Sequence, residues 1–122
     1  MSWQFNRTEA VFIQIGKRLR MDIFNGKYPP DSQFPSVRQL ASEAAVNPNT
    51  MQKALSLLEE EGILYSKGTI GRFVTSDAAV LKKGRTAIRR ELIRGLLLEA
   101  RELGISNDEL VEYIETEGKK NV

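Results

Sequence analysis

The chain contains neither cysteine nor histidine, and these absences exclude more chemistry than any residue present suggests. Without cysteine there can be no disulfide, no thiolate nucleophile and no cysteine-ligated zinc or iron-sulfur site. Without histidine, the commonest general base and the commonest metal ligand are both missing. No pair of acids falls in a pattern that suggests a catalytic cleft, so neither an enzyme nor a cofactor is expected. Long apolar runs are lacking as well. The longest span a few residues, far short of the roughly 20 that a membrane helix needs. Residues 1–7 have no apolar core of the signal-peptide kind, which makes the cytoplasm the default location and leaves no membrane partner.

An excess of either charge is also missing: 18 lysines and arginines stand against 16 acids, for a net charge of +2 over 122 residues. Positive potential is therefore local. Lys82, Lys83, Arg85, Arg89, Arg90 and Arg94 crowd around a single acid, Glu91. A nucleic-acid face, an anion site and a solvated helix face all fit that stretch. The composition, 41% hydrophobic and 28% charged, is that of a folded globular chain, long enough for one compact domain or a small domain with an appendage.

The apolar residues that are present recur at helical spacing. Val11, Phe12, Ile15, Leu19 and Ile23 predict an amphipathic helix over residues 9–24, stopped by Asn25-Gly26. Tyr28-Pro29-Pro30-Asp31 and Phe34-Pro35 predict an extended or turning stretch. Ser36 and Gln39 then form the pattern of a capping box, opening a short helix with Val37, Leu40, Ala41 and Ala44 inward. Val46-Asn47-Pro48 interrupts it. Asn47 fits an N-cap and Pro48 the first helical position, with Val46 and Met51 placed as a hydrophobic staple. The next helix, residues 48–60, buries Met51, Ala54, Leu55 and Leu58. It leaves Asn49, Thr50, Gln52, Lys53 and Ser56 outside.

Two short helices across so tight a turn make a helix-turn-helix, with Ala41, Ala44, Ala45 and Ala54 allowing close approach. An ordinary helical hairpin with a polar outer face fits the same periodicity. The following residues favour the first reading. Residues 63–65 and 72–75 read as strands joined by the glycine-containing loop 67–71, a β-hairpin beside the second helix. Such a hairpin is a wing, whose tip lies on phosphates or reaches into a minor groove.

After Asp77 the pattern returns to helix. Ile88, Leu92, Leu96 and Leu103 form one apolar stripe, and Ile93, Leu97 and Ala100 form another. Gly104 ends this helix. Ser106 and Glu109 box the start of the last one, where Ile105 and Leu110 form a staple. Leu110, Val111, Ile114 and Tyr113 are expected to face inward. So wide an apolar face can pack on its own domain or on a second copy. Two copies would present two recognition helices to successive major grooves.

Within this frame, Phe34-Pro35-Ser36-Val37-Arg38-Gln39-Leu40-Ala41, Val46-Asn47-Pro48-Asn49-Thr50, Leu57-Leu58-Glu59-Glu60-Glu61-Gly62-Ile63-Leu64 and Gly71-Arg72-Phe73-Val74 resemble the DNA-binding domain of the GntR family of bacterial transcriptional regulators. The short remainder of the chain is similar to the YtrA-like subfamily, whose tail serves dimerization and whose members often control transporter genes. The resemblance implies a fold that is mainly α with a small β-hairpin. A winged helix-turn-helix over residues 1–77 would precede a two-helix dimerization extension over residues 78–118 and a flexible tail at 119–122. It implies a regulator, a repressor by expectation, that binds a palindromic operator in double-stranded DNA as a homodimer. A small-molecule effector is a further possible partner. A winged helix used only for protein contacts is the rival reading.

The expected DNA-binding residues follow from the helix pair, the wing and the family match together. Asn49, Thr50 and Gln52 are candidates to read bases. Arg38 would take a guanine edge or a phosphate, unless it forms a salt bridge within the protein. Ser36, Lys53, Lys67, Thr69 and Arg72 would hold the DNA backbone, Gly68 would lie near the wing tip or on the backbone, and Asn47 is a further expected DNA-binding residue. Lys53 and Lys67 could instead be merely solvated, and Arg72 could brace the hairpin against its neighbour strand. Some family members carry arginine where this chain has Pro48 or Gln52, so fewer strong guanine contacts are expected. The loop lacks a second tip arginine, so deep insertion into the minor groove is not expected. Ile88, Leu92, Ile93, Leu96, Leu97, Leu103, Leu110 and Ile114 are the expected dimerization residues.

Overall fold

The computed structural model describes residues 3–121, with the side chain of Asn121 outside the description. Its elements are α1 (Val11–Phe24), α2 (Val37–Ala44), α3 (Pro48–Glu60), β1 (Leu64–Lys67), β2 (Gly71–Val74), α4 (Ala78–Glu102) and α5 (Asn107–Asn121). The chain divides into two compact units, the first ending at Arg85 and the second beginning at Thr86. The first unit thus extends past Asp77 into the opening turns of α4.

Local chemistry sets the helix ends. Ser36 Oγ accepts the Gln39 amide at 3.1 Å and fixes the start of α2. The return bond expected from the Gln39 side chain is not found among the described residues. α2 stops at Ala45, which takes a left-handed conformation with φ of 57° and turns the chain toward α3. Ala45 is exposed there, so it does not contribute to the close helix approach expected of it. Asn47 Oδ1 accepts the Asn49 amide at 2.7 Å, and Pro48 opens α3. A missing amide proton has no consequence at that position.

The core of the first unit joins every one of these elements. Ile15 and Leu19 of α1, Leu40 of α2, Met51, Leu55 and Leu58 of α3, Leu64 of β1 and Val74 of β2 are fully buried. Each side chain removed from water contributes roughly 1.5–3 kcal/mol before the entropy of ordering is set against it. Val11, Phe12 and Val37, also expected inward, are only half-buried. Phe24 closes this core next to α4. A Cβ built on Gly84 would lie 2.1 Å from the Phe24 Cζ, so only glycine admits the ring.

The hairpin sits slightly off the predicted strands. β1 and β2 are antiparallel, with Leu64 opposite Val74 and Lys67 opposite Gly71, leaving residues 68–70 as the loop. Ile63 belongs instead to the helix end, its amide bonded to the Leu58 carbonyl at 3.0 Å. β2 is bonded along its other edge as well. The Asp31 amide reaches the Val74 carbonyl, the Phe34 amide the Arg72 carbonyl, and the Val74 amide the Ser32 carbonyl, at 2.8–2.9 Å. The proline-rich stretch before α2 therefore runs along the free edge of β2, joined to the two-stranded hairpin by a single bridge between Gln33 and Phe73.

In the second unit, Gly104 with φ of 73° ends α4. The expected capping box opens α5 reciprocally: the Glu109 amide donates to Ser106 Oγ and the Ser106 amide to Glu109 Oε1. Ala100 is buried, and Leu97, Ile105 and Leu110 are half-buried. Val111, Tyr113 and Ile114, expected inward, are each more than half exposed. One helix gives another too little surface to cover so broad an apolar arc. α5 continues through residues 119–121, which were expected to be flexible. Val122, the last residue of that expected tail, lies outside the described residues.

Candidate nucleic-acid interface

α3 presents Asn49, Gln52, Lys53 and Ser56 at positions i, i+3, i+4 and i+7, a single helix face. Asn49, Gln52 and Lys53 are exposed, and Thr50 is half-buried beside them. Asn49, Gln52, Lys53 and Ser56 line a shallow groove with Phe12, Leu57 and Glu60. Gln52 donates from Nε2 to Ser56 Oγ at 3.3 Å. Its carbonyl oxygen is thereby turned away from the serine and left to accept from a partner. The Lys53 ammonium sits 5.0 Å from the centre of the Phe12 ring, so α1 holds it at the groove edge by a cation–π contact. The face carries amides, a hydroxyl and one cation, with the Glu60 carboxylate at its C-terminal end. Its amides and hydroxyl can both donate and accept toward base edges in a major groove.

Arg38, the second residue of α2, is exposed and forms no hydrogen bond or ion pair among the described residues. The salt bridge weighed for it is therefore not made. Ser36 and Asn47 occupy cap positions, where their side-chain oxygens already accept backbone amides. Only their remaining donors face outward.

The wing is more constrained than its sequence suggests. Lys67 Nζ lies 4.5 Å from the Phe73 ring centre and 5.7 Å from that of Tyr65. Arg72 Nε donates to Glu59 Oε1 of α3, and Ser66 Oγ donates to the same oxygen at 2.8 Å. Arg72 thus braces the wing against α3, an internal role, though not against the neighbour strand for which it was weighed. Burial pushes the Glu59 carboxyl up, but the hydrogen bonds from Arg72 and Ser66 and the Arg72 charge outweigh it and hold the group below its ordinary value. The Tyr65 hydroxyl bonds Asp31, which raises the tyrosine above its usual value. Gly68 takes φ of 47° in the tip, and Thr69 and Ile70 are exposed.

Glu59, Gln33 and Ile70 escaped sequence reasoning. Glu59 looked like part of a solvated acidic run. Gln33 stands in a segment with no strand periodicity. Ile70 left a signal: it is an apolar residue in a short loop between two glycines.

A family model described as bacterial regulatory proteins of the gntR family matches residues 13–74, from within α1 to the end of β2. The chain belongs to the gntR family. As a family member it is a transcriptional regulator with a winged helix-turn-helix DNA-binding domain, not an enzyme. It is 30% identical over 118 residues to the HTH-type transcriptional repressor YtrA of Bacillus subtilis, with 91% of each chain covered. That full-length match supports its place among YtrA-like members of the family. A GntR family regulator from Listeria monocytogenes superposes with a TM-score of 0.85 at 28% identity, covering 92% of this chain and 98% of that one. The DNA-binding domain of AraR, solved in complex with operator ORX1, superposes with a TM-score of 0.53 at 27% identity, covering 59% of this chain and 93% of the AraR chain.

The expected dimerization residues fall into two groups. Leu92, Ile93, Leu96, Leu103 and Ile114 are exposed, and Ile88, Leu97 and Leu110 are half-buried. Leu98, at 61% exposure, joins the first group and was missed. The basic stretch continues onto the second unit, where Arg89, Arg90 and Arg94 rim an open depression around Ile93 and form no ion pair among the described residues. No helix of the described residues is long and apolar enough to cross a membrane.

Proposed function

We propose that this gntR-family regulator binds a two-fold symmetric operator as a homodimer and represses transcription in the cytoplasm. Transporter genes would be the targets that the YtrA likeness suggests. One observation carries the reading: α3 leaves a face of amide and hydroxyl groups open while the wing is locked beside it through Glu59 and Arg72. Asn49, Thr50 and Gln52 read base edges in the major groove, and Arg38 takes a guanine edge or a phosphate. Ser36, Asn47, Lys53, Lys67, Gly68 and Thr69 hold the DNA backbone. Arg72 contributes mainly through the brace.

Support for the dimer comes from the second unit. Leu92 is 72% and Leu103 77% exposed, and covering such a leucine contributes roughly 1.5–3 kcal/mol. Apolar surface so concentrated marks an interaction site rather than an ordinary surface. A two-fold axis through it would pair two reading heads and demand a palindromic site. The test is sedimentation of the protein with a duplex carrying its operator. Two chains per duplex, together with repression of a reporter placed behind that operator, is the expected result. A single chain per duplex, or reporter activation, would contradict it.

A further inference from the structure

The wing tip is built to present one apolar side chain. Ile70 is 64% exposed, yet both of its backbone polar groups are bonded. Its amide donates to the Lys67 carbonyl at 2.9 Å, and its carbonyl accepts from Gln33 Nε2 at 2.9 Å. Gln33 itself lies in the segment before α2, in an isolated bridge to Phe73 of β2. Gly71 follows with φ of 131°, and a Cβ there would meet Gln33 Nε2 at 3.2 Å, so the clamp also depends on the glycine. The two cations flanking the tip have partners within the protein, Lys67 over the Phe73 ring of the hairpin and Arg72 on Glu59 of α3. Thr69 and Ile70 are the exposed side chains of the loop itself.

An exposed isoleucine on a tethered loop adds nothing to the core, and it cannot hydrogen-bond to a base. It can sense shape. In the minor groove, A·T pairs show only acceptors on the floor, whereas a G·C pair adds the guanine N2 amino group. A branched apolar side chain held against that amino group would strip it of water and offer no acceptor in return. The geometry points to Ile70 as a specificity-determining residue that reads the minor groove beside each half-site and rejects G·C pairs there. This rests on the operator-binding reading above and adds a base preference that α3 does not supply.

Base analogues separate the possibilities. Inosine lacks the N2 amino group but keeps the major-groove edge of guanine. Equilibrium binding would be measured on operator duplexes in which each pair flanking a half-site is A·T, G·C or I·C, using the wild-type protein, Ile70→Ala and Ile70→Leu. For the wild type, A·T and I·C should bind alike and G·C about tenfold more weakly, a factor typical of one buried unpaired donor. Ile70→Ala should reduce that ratio to within twofold, and Ile70→Leu should keep most of it. Inosine behaving like guanine would move the reading to the major groove and overturn the inference. So would full discrimination by Ile70→Ala, or no flanking preference in the wild type. If no duplex is bound at all, the operator reading fails and this inference fails with it, a result distinct from the others.

Discussion

Arg72 of the second wing strand donates its Nε hydrogen to Glu59 of the recognition helix. The two elements that would meet DNA are therefore linked directly, one residue pair from the loop end of the hairpin. Arg72 has 18% and Glu59 31% of its side chain exposed, so the pair is partly shielded from solvent screening. Its role is geometric: it fixes where the wing stands relative to α3 in the absence of DNA.

Glu59→Gln should loosen that link and lower stability by on the order of 1 kcal/mol, as for a partly exposed pair. The Glu59 carboxyl is held below its ordinary value. Its contribution is therefore complete above the unfolded carboxylate pKa, about 4.3, and is lost as pH falls through the lower folded value. Thermal melts of wild type and Glu59→Gln should differ most at neutral pH and converge on acidification. A gap that widens in acid would contradict the assignment.

Two helix glycines should respond in opposite directions to alanine. At Gly16 the new methyl would meet Leu57 Cδ2 at 3.7 Å, an ordinary contact, and alanine favours a helix interior by about 1 kcal/mol. At Gly84 it would collide with the Phe24 ring, which is 5% exposed and has no room to retreat. Gly16→Ala should raise the melting temperature. Gly84→Ala should lower it, because overpacking costs roughly 1–3 kcal/mol and exceeds the helix gain.

Arg38→Ala should cost roughly 1–3 kcal/mol of operator binding and relax base preference if the arginine reads a guanine edge. Lys67→Ala should weaken operator and random DNA alike and reduce the salt slope by about 1. Titrations of both variants on both duplexes at two salt concentrations distinguish these roles. A uniform loss from the Arg38 change would assign it to phosphate.

Leu92→Glu should dissociate the dimer while leaving the first unit folded. The side chain is exposed in the single chain, and in a symmetric interface it would bury an unpaired charge twice. Sedimentation should show a monomer whose helix content is unchanged. A dimer that survives would place the interface elsewhere.

Much of this fold was legible in the sequence because capping chemistry is local. Ser36, Asn47-Pro48 and the Ser106 and Glu109 box each act within a few residues and were found at their predicted positions. The α3 face was legible for the same reason, since periodicity alone separates Met51 and Leu55 from Asn49 and Gln52. Features that depend on distant partners were not visible. An isolated bridge joins Gln33 to Phe73 along the wing, the Glu59 brace joins α3 to β2, and Ala45 takes its left-handed turn only because the chain must swing into α3. In the second unit the stripes were readable, but how little of them one chain covers was not.

Operator selection from a random duplex library at physiological salt tests the central claim most directly. The account predicts enrichment of a two-fold symmetric motif with half-sites about one helical turn apart. Enrichment of an asymmetric single site would contradict the dimeric reading. Failure to enrich any sequence would contradict specific operator recognition and favour a winged helix used for protein contacts.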